Sequence, residues 1–405
     1  NDEWSFTRVL PYFRKLETDR DFPGGDFHGN DGPIPVRRFK QQEWLPYSSA
    51  FHTACVEMGY PAEPDQNNPE YYNGISPRPL NNIDGVRMST ALTYLNMARH
   101  RLNITIRGSV VVRHIVFEGN RAVGVEAECG GEIFTVDGEQ IILSSGAIAS
   151  PQILMLSGVG PRDHLNDMGI GVVHELPGVG QNLRDHPAAF ILFRGYGDPP
   201  EDSAPSIQLG LRFSTDGSPT RADFQLSPIL MTSEHRPASV KIDSDDFHFG
   251  FSVALQNATS AGRLWLASTD PHQQPVLNYD YLSDAYDRER MRAALRVALE
   301  VADHPAFKDI IIERLNPTNQ DLASDRDLDN WMLRNAYTQH HSSGTCKMGQ
   351  ASDSMAVVDQ YCKVHGMENL RVVDASVMPD VIRANTNATT IMIGERVADW
   401  IINGR

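Results

Sequence analysis

Two imidazoles stand side by side at His340 and His341, inside the run YTQHHSSGTCKM from Tyr337 to Met348. A later block, RVVDASVMPDVIRANTNATTIMIGERVADWI from Arg371 to Ile401, answers it with an asparagine, Asn387, just ahead of an apolar run of helical length. Imidazole is the side chain best poised to accept a proton near neutral pH, and a carboxamide can hold the oxygen that gives the proton up. His341 and Asn387 therefore form a candidate base and its orienting partner, and such a pair needs no metal. Gly344-Thr345-Cys346 follows His341, where a glycine lets the chain fold tightly into a neighbouring strand. Asn387-Ala388-Thr389-Thr390 would open a helix running to Ile402, with Gly404 past its end. The first-turn amides and partial positive charge of that helix would face an anion or an electron-rich ring.

Other elements must hold these groups in place. Gln140-Ile-Ile-Leu-Ser is an apolar run suited to a buried strand, Ser150-Pro151 supplies a cap and a first-turn proline, and Gly158 and Gly160 end a short helix. That is a strand, a turn and a helix of the kind found beside a nucleotide. From Asn103 to Ser145 the runs ITIRGSVVV, IVFEG, AVGVEAE and EIFTV predict a β-meander. Phe247, Phe249, Phe251, Val253 and Leu255 alternate along one strand, and Arg263-Leu-Trp-Leu and Pro275-Val-Leu-Asn-Tyr are expected to extend the same antiparallel sheet. Asp284 to Asp303 predicts a scaffold helix with one apolar face, stopped by Pro305. Phe27-His28-Gly29 is read as loop rather than catalytic, and Asp185-His186 as fixing a domain crossing. No HxxxH or HExxH spacing points to a metal.

GAIASPQILMLSGVG, Gly146 to Gly160, resembles position by position the second signature of the glucose-methanol-choline (GMC) flavin oxidoreductases, and LPGVGQNLRDHP, Leu176 to Pro187, resembles the stretch that follows it. WSFTRVLPYFRKLE near the start, FHGNDGPIPV at Phe27 to Val36 and VRMSTALTYL at Val86 to Leu95 extend the resemblance over nearly the whole chain. It implies an α/β plus α+β fold, an FAD-binding Rossmann-like domain, incomplete in this chain, joined to an antiparallel-sheet substrate domain that roofs the flavin. Residues 1–85 would be the family's amino-terminal region with cap and loop elements, 86–165 part of the FAD-binding domain, 166–345 the substrate domain, and 346–405 the return to the FAD-binding domain. The resemblance implies FAD as cofactor, with Val112, His340, Asp374, Ala375, Ala388 and Thr389 at cofactor contacts, Val112 offering its backbone to the adenine. It further implies that His341 takes the hydroxyl proton of a small primary or secondary alcohol while a hydride passes to flavin N5, with Asn387 orienting the oxygen and oxygen or a quinone taking the electrons. The sugar oxidases of the family carry a second histidine where this chain has Asn387. Two other readings remain open: a flavin-containing hydroxynitrile lyase, and a non-catalytic subunit of a split flavoenzyme.

The family's opening strand, GxGxxG turn and helix have no counterpart here, since Gly178-Val179-Gly180-Gln181-Asn182-Leu183 lacks the third glycine and a preceding strand. An amino-terminal flavin-binding fragment or subunit is therefore expected as a partner. The net charge of −16 argues against nucleic acid, and no run of about twenty apolar residues predicts a membrane span. Cys55, Cys129, Cys346 and Cys362 have neither zinc-ligand nor CxxC spacing and are read as reduced thiols of a cytoplasmic protein. The sequons at Asn103, Asn257 and Asn387 are discounted, because the third would modify the proposed site. The substrate pocket is expected along Phe190 to Leu255.

Overall fold

The structure, a computed structural model, describes residues 2–70, 73–201, 204–231 and 246–404, so 232–245, a part of the expected pocket wall, lies outside it. Down the chain come α1 (Phe6–Leu16), α2 (Pro46–Glu57), β1 (Gly74–Pro77), the meander β2 (Val111–Glu118), β3 (Arg121–Cys129) and β4 (Glu132–Asp137), then β5 (Ile141–Leu143) and α3 (Gly146–Leu156). They are followed by β6 (Pro187–Gly195), β7 (Leu209–Phe213), β8 (Phe224–Leu230), β9 (His248–Leu255), α4 (Ala285–Ala302), β10 (Ile311–Asn316), β11 (Tyr337–Thr338), β12 (Leu370–Val372) and α5 (Thr386–Ile402). No helix among the described residues is long and apolar enough to cross a membrane.

The alternation in Phe249, Phe251, Val253 and Leu255 has the expected cause: successive side chains of a strand point to opposite faces. β9 lies inside an antiparallel sheet ordered β10-β6-β9-β8-β7-β1, with β11 also on β6. One face carries Leu211, Phe213, Phe224, Leu226 and the alternating residues of β9, all buried against α2 and the Met291, Leu295 and Ala298 stripe of α4. Each such side chain contributes about 1.5–3 kcal/mol by leaving water. The scaffold helix is as read, capped by the Asp284 carboxylate accepting from the Tyr286 amide. The opposite face is also buried but polar, with Arg212 opposite Gln225 and Ser227 opposite Ser252. The strands at Gly262–Trp265 and Val276–Asn278 do not extend this sheet. They pair with Gln181–Leu183 in a separate three-stranded sheet, because Leu264 and Leu266 bury in the other core.

That other core gathers α1, α3, α5, the meander and the parallel pair β5 and β12. Trp400 of α5 meets the edge of Trp4 at 5.4 Å. The first 85 residues divide between the cores: Val9, Leu16 and Ile34 belong here, Tyr47 to Cys55 and Ile75 under the large sheet. The meander forms over β2 to β4 but starts at Val111, leaving Asn103–Ser109 outside it. Ser150-Pro151 does not open α3, which begins at Gly146 and carries Pro151 in its interior. A proline there cannot donate to the carbonyl one turn back. Thr345 Oγ donates to that Ala147 carbonyl instead, at 2.6 Å, so a distant loop makes the helix possible.

Candidate active site

His341 follows the short strand β11 and is buried, 8% exposed. Its setting comes from the chain crossing at Asn182 to His186. Arg184 and Ser343 exchange backbone hydrogen bonds. Gly344 sits at φ +82°, where a Cβ would lie 2.6 Å from the Asn182 carbonyl, so the close crossing requires glycine. Asp185 then holds the loop from within: its carboxylate accepts from the amide of His341 at 3.0 Å, the amide of His186 at 2.7 Å, and the hydroxyls of Tyr281 and Thr338.

The ring of His341 has two partners, and together they fix its tautomer. His186 Nε2 lies 2.8 Å from the Ile382 carbonyl, which can only accept, so His186 carries its proton there and its Nδ1 is an acceptor. His341 Nδ1 lies 2.8 Å from that atom and must donate to it. The lone pair of His341 is thereby left on Nε2, 3.1 Å from the side-chain nitrogen of Asn385. Burial, then the neighbouring His186, Arg78 and His340, lower the pKa of His341 to about 3, and burial lowers that of His186 as well. Two neutral imidazoles in series therefore present one basic nitrogen beside one carboxamide.

That carboxamide is not the one expected. Asn387 lies exposed in the first turn of α5, and Asn385, the residue preceding the helix, reaches His341. The helix starts at Thr386, one residue before the Asn387 at which the sequence reading opens it, and Asn385 is the residue at its cap. From sequence His186 is assigned only to a domain crossing, yet it is the hydrogen-bond partner of His341. A buried polar pair beside a proline-led strand was its one sequence signal.

The remaining site residues gather around the ends of β5 and β12. These strands run parallel, and crevices at the carboxyl ends of parallel strands are where open α/β sheets take ligands. Asp374 closes that end, accepting from the Gly146 amide at 2.9 Å, Ser150 Oγ at 2.5 Å and the Ser376 amide at 2.8 Å. Ala375 follows it and its carbonyl accepts from the Gly344 amide. Val112 is half-buried on β2, which packs on α3; His340 is exposed at φ +62°; Ala388 and Thr389 lie in the first turn of α5. These positions fit a flavin nucleotide. A Cβ on Gly146 would meet nothing within 4 Å, and Asn385 makes no side-chain cap, which leaves the amino-terminal end of α5 open to an electron-rich ring.

His28 is structural. Its Nδ1 lies 3.0 Å from Glu17 and 3.2 Å from Asp19, and its Nε2 2.8 Å from Asp65, all buried. Glu17, Asp19 and His28 are close enough to share an ion. Hydrogen bonds to Asp19, Asp65 and Glu17 raise the His28 pKa to about 11, so here both ring nitrogens donate to carboxylates. Arg38 bridges Asp19 and Asp65 and completes an ion-paired clasp.

The chain matches the GMC oxidoreductase family in two parts, at residues 1–188 and 258–394. It is 34% identical to the oxygen-dependent choline dehydrogenase of Photobacterium profundum over 98% of this chain and 73% of that protein. Identity to the enzyme of the same name from Escherichia coli is 36%, over 99% and 75%. Among solved structures, pyridoxine 4-oxidase from Mesorbium loti superposes with a TM-score of 0.91 at 28% identity, over 100% of this chain and 79% of that one. Both family segments occur in this one chain, and the comparisons give no support to the expected companion fragment or subunit.

Proposed function

The chain belongs to the GMC oxidoreductase family, and on that premise we propose that His341 takes the hydroxyl proton of a small primary or secondary alcohol while Asn385 holds its oxygen. It is an FAD-dependent oxidoreductase acting on CH–OH donors, as the family is. When bound, FAD supplies the acceptor for the hydrogen that leaves carbon with its electron pair. To Val112, His340, Asp374, Ala375, Ala388 and Thr389 we assign the contacts that would hold the cofactor, as the family resemblance implies.

The observation that carries the reading is the ordered ring pair, in which Ile382 sets His186 and His186 sets His341, leaving Nε2 as an acceptor whose one partner among the described residues is the Asn385 carboxamide nitrogen at 3.1 Å. An alcohol oxygen that displaces this contact gives its proton to Nε2 and accepts from the carboxamide. Burial of the His341 ring limits the access of water to Nε2. With its pKa at about 3, His341 is fully in the basic form at neutral pH, but it is too weak to build up free alkoxide. The proton therefore leaves in concert with the carbon-bound hydrogen.

The test is anaerobic mixing of the holoenzyme with a panel of primary and secondary alcohols. Bleaching of the flavin band is expected, slowed about 10²- to 10⁴-fold in His341→Ala with FAD retained. A flavin that no alcohol bleaches, with cyanide released from hydroxynitriles, would replace this reading by the lyase. Reoxidation by oxygen or by a quinone then identifies the electron acceptor.

A further inference from the structure

The protein carries a net charge of −16, yet the polar face of the large sheet gathers guanidinium groups that make no ion pair among the described residues, with Asp65 acting on Arg212 only from beyond 4 Å. Arg78 follows β1 and is 7% exposed; Arg212 is on β7. Their partners are neutral. Arg78 donates to Ser227 Oγ and, with the carboxamides turned to satisfy both sides, to the side-chain oxygens of Gln225 and Gln66. Arg212 donates to the backbone oxygen of Gln66 at 2.8 Å and to its side-chain oxygen at 2.9 Å. Arg78 Nε is buried with no partner at all. Among the described residues, no carboxylate lies within 4 Å of Arg78, Arg212 or Arg383. The chain makes room for this arrangement: a Cβ on Gly210 would lie 2.6 Å from Arg78 Nε.

The group borders the site. Arg212 and Arg383 line a cleft of about 290 Å³, near the lower end of small-molecule pockets, that also takes in Asn67, Asn68 and Ala384, the residue before Asn385. Ser227 stands opposite Ser252 on β9, to whose hydroxyl Gln339 donates at 3.0 Å, two residues before the base. The charge of Arg78 reaches His341 and opposes its protonation. Buried charges without counter-ions are costly unless something else supplies the opposite charge.

We propose that the cleft between Arg212 and Arg383, backed by Arg78, is an anion subsite that binds the carboxylate of an acidic alcohol whose hydroxyl end reaches His341 and Asn385. This rests on the alcohol-oxidation reading and names its substrate class. A carboxylate there pairs with planar guanidinium groups, for which its geometry is suited. Its charge also offsets the cost of burial and mutual repulsion that lower the pKa of Arg78 to about 9 and of Arg212 to about 10. By offsetting Arg78, the bound substrate makes His341 a stronger base than in the free enzyme, so binding and proton abstraction are coupled. A quaternary ammonium such as choline meets repulsion in the same place.

Binding separates this proposal from the alcohol reading because it requires no turnover. Calorimetric titration of the oxidised holoenzyme should show benzoate binding at least about tenfold tighter than benzamide, and benzyltrimethylammonium not detectably. In Arg212→Gln the preference for benzoate should vanish, and in Arg78→Lys, which keeps the charge, it should largely survive. In turnover, 4-(hydroxymethyl)benzoate should exceed its methyl ester in kcat/KM by a similar factor, mostly through KM. If wild-type holoenzyme binds benzoate no better than benzamide, or the preference survives in Arg212→Gln, the subsite is overturned, even if neutral alcohols bleach the flavin. If benzoate is preferred but no alcohol bleaches the flavin, the subsite stands and the oxidation reading fails.

Discussion

His28 and His341 are both buried, and their neighbours drive them to opposite states. Around His28, three carboxylates on two sides hold the ring as a cation, its pKa raised to about 11. Around His341, burial first, then the neighbouring His186, Arg78 and His340, hold it neutral, its pKa lowered to about 3. Burial alone disfavours the charged form in both places, so the difference lies in what each ring nitrogen meets. A histidine whose two nitrogens both donate to acids has no lone pair with which to accept a proton, and its role is to hold α1, the Arg38 segment and the Asp65 loop together. A histidine whose Nδ1 is tied to a neutral acceptor keeps a usable lone pair on the other side.

The comparison breaks first, and by the largest effect, at His341. Replacing it with Ala should slow flavin reduction about 10²- to 10⁴-fold while leaving thermal stability nearly unchanged, because neutral partners are left behind. His28→Ala should do the reverse. It strands Glu17, Asp19 and Asp65 around Arg38 alone, which should cost about 3–5 kcal/mol of stability, read as a lower denaturation midpoint, while flavin reduction in the folded fraction stays within a few-fold. A His28→Ala enzyme that stays stable but turns over slowly would invert the two assignments.

The two rings should also differ in pH dependence. His28 is raised from 6.5 in the unfolded chain to about 11, so its stabilising contribution is complete below about pH 6.5 and is lost as pH rises toward 11. Asp19 and Asp65 are lowered, so theirs is present above the ordinary carboxylate range and is lost as pH falls through it. The clasp should therefore be strongest between about pH 4 and 6.5, and the decline in melting temperature above that window should flatten in His28→Ala. His341, by contrast, is already deprotonated above about pH 3. For a neutral alcohol, kcat/KM should show no acid limb near pH 6.5. A limb there would mean that His341 is far less desolvated than its surroundings indicate.

What the sequence revealed of this pair follows from how local each signal is. His341 was legible because its loop, its glycine and its neighbours are contiguous, and the alternation of β9 was legible because strand period is a local property. His186 was not recognised as its partner, since the two lie 155 residues apart and meet only through the Arg184–Ser343 crossing. The start of α3 was misplaced for a similar reason: Pro151 is tolerated inside the helix because Thr345, from the far side of the substrate sheet's insertion, takes the orphaned carbonyl. The two strands at 262–265 and 276–278 have strand-like sequences, but nothing local says which sheet they join.

The smallest effect is the sharpest test of the site, because it separates two asparagines two residues apart. Asn385→Ala removes the carboxamide 3.1 Å from His341 Nε2 and should lower the rate of flavin reduction about 10²-fold, the range for losing one preorganised donor at a reacting oxygen. Asn387→Ala removes an exposed side chain in the first turn of α5 and should change that rate by no more than about twofold. Alanine is also a better helix former than asparagine, so this variant should fold at least as well as the parent. Stopped-flow reduction of both variants by the same alcohol decides the matter. A large loss in Asn387→Ala with a silent Asn385→Ala would make Asn387 the oxygen-holding group, whereas a loss confined to Asn385 ties the helix cap to the chemistry.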